Sequence, residues 1–204
     1  MPSDSPDFYN DLELSLVQAF GLLSDAVGNR QSPCHTPVIS SILKNEDGDL
    51  TPSARVVVLR AFNSKTRTFR FHTDTRSDKI QHLADLPSVC AVFYDPTEKI
   101  QLRLTGISRV DSSGPLADKA WEETRPFSRE CYRIEPGPGA QIEAGSAYIE
   151  RPLLKEFDPG RQHFGTVEIR FDMLEWLYLS ALGHRRARYV WDQQSMLTSD
   201  WLVP

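Results

Sequence analysis

Four side chains between Arg55 and Gly106 have the types and spacing to hold an anion: Arg55, Arg60, Ser77 and Lys79. Arginine and lysine make charge-assisted hydrogen bonds, which are strong when the acceptor is a phosphate oxygen. Ser77 opens a short segment of helical spacing that carries Lys79. Unpaired backbone N–H groups and the helix dipole favour negative charge at such a start. For any one of these residues alone, a solvated cation beside a strand is the commoner case. Convergence of all four would make anion capture on a rigid sheet.

The surrounding elements have to supply that convergence. Arg55-Val56-Val57-Val58-Leu59-Arg60 is a β-branched run with a cation at each end, and Thr68 to Thr73 alternates as a half-buried strand does. Ile80, Leu83 and Leu86 follow Lys79 at helical spacing, Val89 to Tyr94 is a third apolar run, and Gln101 to Thr105 alternates again, placing Gln101, Arg103 and Thr105 on one face. A further strand is expected over Val38–Leu43. Turns are expected at Asn45–Asp49, Ser64–Thr66 and Pro96–Glu98. Short strands at regular spacing predict a closed antiparallel barrel, giving a mainly β protein with flanking helices.

The order of these pieces resembles the FMN-binding split barrel of the pyridoxamine 5'-phosphate oxidase-like superfamily. The matching pattern is Arg55-x-Val57-x-Leu59-Arg60, Phe71-His72-Thr73, Ser77-x-Lys79 and Gln101-x-Arg103-x-x-Gly106. A second patch, Gly183 to Tyr189 followed by Leu202-x-Pro204, extends the likeness, which covers roughly residues 36–110 and 164–204. The resemblance implies FMN as cofactor. The run Arg55, Val56, Val57, Val58, Leu59 and Arg60 would pass beside it. His72 and Thr73 would meet it through backbone and hydroxyl groups, Ser77 and Lys79 through its phosphate, and Gln101 at the ring. Arg188 would reach the flavin of a partner subunit. A homodimer with FMN at the subunit interface follows, acting on a small-molecule substrate for which His184 and Arg186 are the candidate contacts. No catalytic residue is assigned.

Several positions depart from the family pattern. Asp78 stands where an arginine commonly precedes the phosphate lysine, so its carboxylate is expected to point away or to cap the helix. A ring-packing tryptophan of the family falls on Tyr178 by spacing from Arg188. The true oxidases have a lysine where this chain has Arg60, and an Arg-x-His pair where it has His184-Arg185-Arg186. Their substrate-phosphate contacts have no match in the middle region. The resemblance is therefore closer to stand-alone FMN-binding relatives than to the true oxidase. The alternatives are a true pyridoxamine or pyridoxine 5'-phosphate oxidase, a non-catalytic flavin carrier, and a haem-handling relative with His72 or His184 as axial ligand.

Composition narrows the remaining classes. The chain has 204 residues and a net charge of −5, which argues against nucleic acid as the main partner. Cys34, Cys90 and Cys131 are odd in number and widely spaced, with no CxxC, so neither a disulfide framework nor a metal site is expected. Cys90, inside an apolar strand, is expected in the core. His35, His82 and His163 are expected to be structural or surface residues. The sequence shows no signal peptide and no long apolar span, which makes a cytoplasmic, non-membrane protein the default.

One domain is expected over residues 1–204. Its first part, residues 1–30, contains an amphipathic helix from about Pro6 to Val27, with Leu12, Leu16, Phe20, Leu23 and Val27 on one face and Ser3 or Ser5 as cap. Residues 36–111 form the barrel core and 113–134 a helical insertion. The loop Glu135 to Ala140 is a lid, a dimer contact or a bare connector. Residues 164–204 return as strands, ending in an apolar Trp201-Leu202-Val203 expected to be covered.

Overall fold

The apolar alternation becomes one nine-stranded antiparallel sheet in the computed structural model, which describes residues 6–45, 47–154 and 156–204. Strands β1 (Val38–Lys44), β2 (Leu50–Val56), β3 (Leu59–Asn63) and β4 (Thr68–Asp74) precede α2 (Lys79–Asp85). Strands β5 (Ser88–Asp95) and β6 (Ile100–Asp111) follow it, then a separate two-stranded ribbon, β7 (Ile134–Glu135) with β8 (Ile149–Glu150), and last β9, β10 and β11. The sheet runs β11-β10-β9-β6-β5-β1-β2, with β3 and β4 branching off β9. In this order β9 is Phe164–Tyr178, β10 is Arg185–Trp191 and β11 is Leu197–Leu202.

The length of β9 makes the branch. Its first half pairs with β4, Phe164 to Arg170 against Asp74 to Thr68, and its second half pairs with β10, Met173 to Tyr178 against Val190 to Arg185. Strand β6 pairs along both halves, with a bulge between Thr105 and Gly106. The sheet is thus a split barrel and not the closed one expected, since β3 pairs with β4 and not with β2, and it curls around Phe69, Phe71, Phe93, Leu102, Phe171 and Trp176, all essentially inaccessible. Gly106 belongs to the bulge for a steric reason. A Cβ there would run into the Arg170 carbonyl oxygen and the Phe171 Cα.

Helix α1 (Leu12–Gly28) lies across the barrel and buries Ala19, Leu23 and Ala26 completely. Its cap is Asp11, whose carboxylate accepts from the Glu13 and Leu14 N–H groups. The expected helix start at Pro6 is instead a 3-10 turn over Asp7–Asn10. The expected caps Ser3 and Ser5 lie outside the described residues, as does Glu46 of the first turn. Two tyrosine and tryptophan heads anchor the helix: Tyr189 donates to the Leu12 carbonyl at 2.7 Å, and Trp176 Nε1 to Gln18 at 3.1 Å.

Two further expectations need correction. The run Arg55–Arg60 is not one strand, because β2 ends at Val56 and β3 begins at Leu59. The intervening Val57 donates its N–H to Pro37 O at 3.0 Å, so the chain leaves one sheet edge to join the other. Cys90 is half-buried, because the core-facing set on β5 is Val89, Ala91 and Phe93. Cys90 therefore faces away from the core.

At the start of β9 that second face is covered by Trp121 and Tyr132, which pack on Phe164, whereas across the other strands it is largely open in the described chain. One row of paired residues crosses seven strands on it: Val56, Val38, Val92, Arg103, Glu175, Arg188 and Asp200. Its first half is aliphatic and its second half alternates in charge.

Candidate functional site

The end of β4, the turn after it and the first residue of α2 place three polar side chains together. Lys79 Nζ donates to Ser77 Oγ at 2.6 Å and to Thr73 Oγ1 at 3.2 Å, while the Ser77 hydroxyl donates to Asp74 O at 2.8 Å. Ser77 and Thr73 are buried. Arg55 reaches across from β2, held by Ser41 Oγ at 2.7 Å and Ser53 Oγ at 2.6 Å. Burial and then the Arg55 charge lower the Lys79 pKa, against the opposing pull of Asp74 and Asp78. The carboxylate that acts on Lys79 most is already occupied. Asp74 binds Arg76 through both oxygens, at 3.0 and 2.7 Å.

Two partly desolvated cations therefore stand beside hydroxyl groups with no anion of their own. A phosphate dianion fits this set, because it would replace neutral acceptors by charged ones. The pattern is built from side chains and not from a helix end, since α2 has only seven residues. Asp78 makes no capping hydrogen bond and is exposed, with its carboxylate turned toward Gly139. Of the two expectations for Asp78, the helix cap is not made, and its charge still acts on Lys79.

Beside the cluster is a cavity of about 630 Å³, a size usual for cofactor sites, roughly 300–1,000 Å³. Val56, Val57 and Val58 form one wall, Phe71 and Tyr132 another, and Phe127 and Pro138 the rim. Lys79 and Arg60 line it too, as do the carboxylates of Asp74 and Glu130, and apolar walls with these two cations suit a flat ring carrying an anionic tail. Phe127 is 81% exposed, so the cavity is open on that side. Burial raises the Tyr132 phenol well above its ordinary value, which keeps it a neutral hydrogen-bonding group.

His72 lines this cavity and a smaller one behind it. Burial, then the charges of Arg60 and Arg70, push its pKa down to about 3, so the ring is neutral. Its Nδ1 lies 3.5 Å from Thr124 Oγ1, whose own proton goes to Ala120 O at 2.7 Å. Nδ1 is thus the donor, and Nε2 is left as a buried acceptor without a partner among the described residues.

The remaining expected site residues lie elsewhere in the chain. Gln101, Arg186 and Arg188 are on the uncovered sheet face, where Gln101 and Arg186 both pair with Leu177. Arg103 and Arg186 converge on one oxygen, Glu175 Oε2, each at 2.6 Å, and Arg188 meets Asp200 at 3.2 Å. Tyr178 is on the opposite face, packed edge-on against Phe8 and Tyr9. His184 is exposed after the Gly183 turn. None of these lines the cavity within one chain. Sequence reasoning missed Tyr132, Arg70, Thr124 and Arg125. Arg125 stands directly before Pro126 at a helix boundary, a signal of a fixed turn that could have marked it.

Comparisons with known proteins bear on the family and the fold. The family described as pyridoxamine 5'-phosphate oxidase, FMN-binding domain, matches residues 20–112. A pyridoxine/pyridoxamine 5'-phosphate oxidase of Pseudomonas syringae is 31% identical over 174 residues, covering 81% of this chain and 78% of that protein. The corresponding oxidase of Bordetella petrii is 28% identical over 169 residues, covering 79% and 78%. Among solved structures, a pyridoxamine 5'-phosphate oxidase-related, FMN-binding protein of Nostoc punctiforme superposes with a TM-score of 0.70 at 20% identity, covering 93% of this chain and 96% of that one. PhzG of Burkholderia lata gives 0.71 at 17% identity, covering 99% and 98%.

Proposed function

The chain belongs to the pyridoxamine 5'-phosphate oxidase-like family of FMN-binding proteins, and on that premise we propose that it is a homodimeric FMN-dependent oxidoreductase acting on a small anionic substrate. The observation that carries the reading is the Lys79–Ser77–Thr73 cluster, with Arg55 beside it, at one end of an apolar cavity. In this reading Lys79, Arg55, Ser77 and Thr73 hold the FMN phosphate, and Val56 to Val58, with His72 and Arg60, border the ring. Bound FMN supplies two-electron redox chemistry that no side chain can perform. The protein's part is placement, exclusion of water and charge.

The uncovered sheet face supports the dimer. Gln101, Arg186 and Arg188 are all on it, away from the cavity of their own chain, so a second copy is the source from which they would complete the site. A twofold pairing supplies both copies alike. The aliphatic half of the face, Val56, Val38 and Val92, continues directly into the cavity wall at Val56. A cation near the flavin pyrimidine edge would stabilise the reduced, anionic ring, and the partner's copy of the Arg188 position fits that role. Strands from both halves of the chain share one sheet, which supports reading it as one domain.

No described helix is long and apolar enough to cross a membrane. The test is the visible spectrum of the purified protein through desalting, followed by turnover assays. Retained flavin that is reduced by a donor and reoxidised supports the reading. Release of hydrogen peroxide with pyridoxine 5'-phosphate would make it a true oxidase. A protein that refuses FMN overturns the site assignment, and one that holds FMN without turnover is a carrier.

A further inference from the structure

His72 and Tyr132 both line the large cavity, and both pack on one buried ring. Phe164, completely inaccessible, takes the His72 ring edge-on at 4.8 Å and the Tyr132 ring at 5.1 Å. Trp121 closes the cluster, 5.1 Å from Phe164 and 5.9 Å from Tyr132.

Backbone contacts fix the support behind them. Arg129 lies over the Trp121 ring at 4.7 Å and donates to the Trp121 and Thr124 carbonyls at 2.7 and 2.9 Å. Thr124 in turn meets His72 Nδ1. Side chains held in this way keep their polar heads in one place. Strand β3 leaves β4 at Phe71 while β9 follows it to Asp74, so the edge of β4 that carries His72 is open on the β3 side.

The two heads are complementary and unused. His72 Nε2 is a bare acceptor, since the ring donates through Nδ1. Tyr132 is 7% exposed and its hydroxyl makes no hydrogen bond among the described residues. Burial keeps the phenol protonated, so it is able to donate. A buried acceptor and a buried donor without partners cost free energy that a matching group returns. Both heads are neutral, so together they select an N–H beside a C=O, the edge of an amide or imide ring. Oxidised isoalloxazine has a single ring N–H, at N3, with a carbonyl on each side.

We propose that His72 Nε2 accepts the N3–H of bound FMN and that Tyr132 donates to the adjacent C4 carbonyl, which makes these two residues the pair that sets the pyrimidine edge of the ring in the cavity. The assignment rests on the flavin reading above. It leaves N1 and the C2 carbonyl free for a cation.

The test loads flavin-free protein with FMN or with FMN methylated at N3 and follows affinity by flavin fluorescence. Wild type should bind FMN at least tenfold more tightly, because the methyl group removes the donor and leaves His72 Nε2 bare. His72→Phe should bind FMN at least fivefold more weakly than wild type and should treat the two flavins alike. Tyr132→Phe should also lose at least fivefold on FMN, yet keep the preference for the free N–H. The midpoint potential of the flavin should be equal in wild type and His72→Phe, since N3–H is present in both redox states. Equal affinity of wild type for the two flavins overturns the assignment. So does a lower potential in His72→Phe, which would put His72 at N5–H, a group formed only on reduction. If either variant fails to fold, FMN-loaded wild type with nitrogen-15 in flavin and histidine decides. A scalar coupling across N3–H···Nε2 supports the pairing, and its absence overturns it. A wild type that takes up neither flavin overturns the flavin reading itself, and the pairing with it.

Discussion

Lys79 Nζ stands 2.6 Å from Ser77 Oγ, and the serine hydroxyl is itself aimed at Asp74 O. The lysine is therefore hydrogen-bonded to neutral groups only, while Asp74, the carboxylate that acts on it most, is spent on Arg76. Each cation of the cluster should matter to a phosphate. Lys79→Ala and Arg55→Ala are each expected to weaken FMN binding by about 1.5–3 kcal/mol, the usual worth of a hydrogen bond to a charged group. That is roughly a 10- to 150-fold rise in Kd. Flavin fluorescence titration measures it, and unchanged affinity in both variants removes the phosphate assignment.

The row Val56–Val38–Val92–Arg103–Glu175–Arg188–Asp200 leaves an aliphatic and charged stripe without cover in one chain. Val203, expected to be covered, is 88% exposed. Val38→Lys would place a charge in the aliphatic half. The wild type is expected to sediment as a dimer, the variant as a monomer, and FMN affinity should fall at least tenfold with dissociation. A monomeric wild type with full FMN affinity would refute the shared site.

Much of this was legible from periodicity, because a strand with one buried face advertises it. The alternation of Phe69 and Phe71, and of Leu102 and Leu104, marks core positions that the fold confirms. The break at Val57–Val58 was not legible. Three consecutive valines favour extended backbone whether or not the ladder continues, and only the distant Pro37 carbonyl decides where it stops. The smaller cavity that His72 also lines was hidden for a similar reason. Arg30, Arg60, Arg70 and Arg125 come from four separate elements, and no local spacing ties them together. The same holds for Tyr178, whose position by spacing suited a ring contact while its side chain joined Phe8 and Tyr9.

Gly106 offers a test of the fold that needs no ligand. An added Cβ would meet the backbone of Arg170 and Phe171, which belongs to the central strand β9 and cannot rotate aside as a side chain would. Gly106→Ala is expected to destabilise the protein by about 3 kcal/mol or more, at the upper end of overpacking costs. Urea denaturation should show a lower midpoint with an unchanged slope. A midpoint equal to wild type would mean that β6 and β9 are not in this register.

His72 links the cavity to pH. Its native pKa of about 3 lies below the ordinary 6.5, so between those values the native state binds fewer protons at this ring than the unfolded chain. Stability from this group is therefore complete above about pH 6.5 and declines as pH falls toward 3. At pH 5 the loss amounts to about 2 kcal/mol, from one and a half pH units at 1.36 kcal/mol each. Carboxylates titrate in the same range, so the quantity to measure is a difference. His72→Asn keeps a polar side chain without the titration, and the gap between wild-type and variant stability should shift by about that amount from pH 7 to pH 5, in the variant's favour at low pH. Any bound anion would partly offset the Arg60 and Arg70 charges that act on the ring, so the experiment belongs in a buffer free of phosphate and polycarboxylates. A parallel pH dependence for the two proteins, or a His72 resonance in the unliganded protein with its midpoint near 6.5, would show that the ring is solvated. In that case Nε2 is not the bare acceptor that the cavity geometry requires.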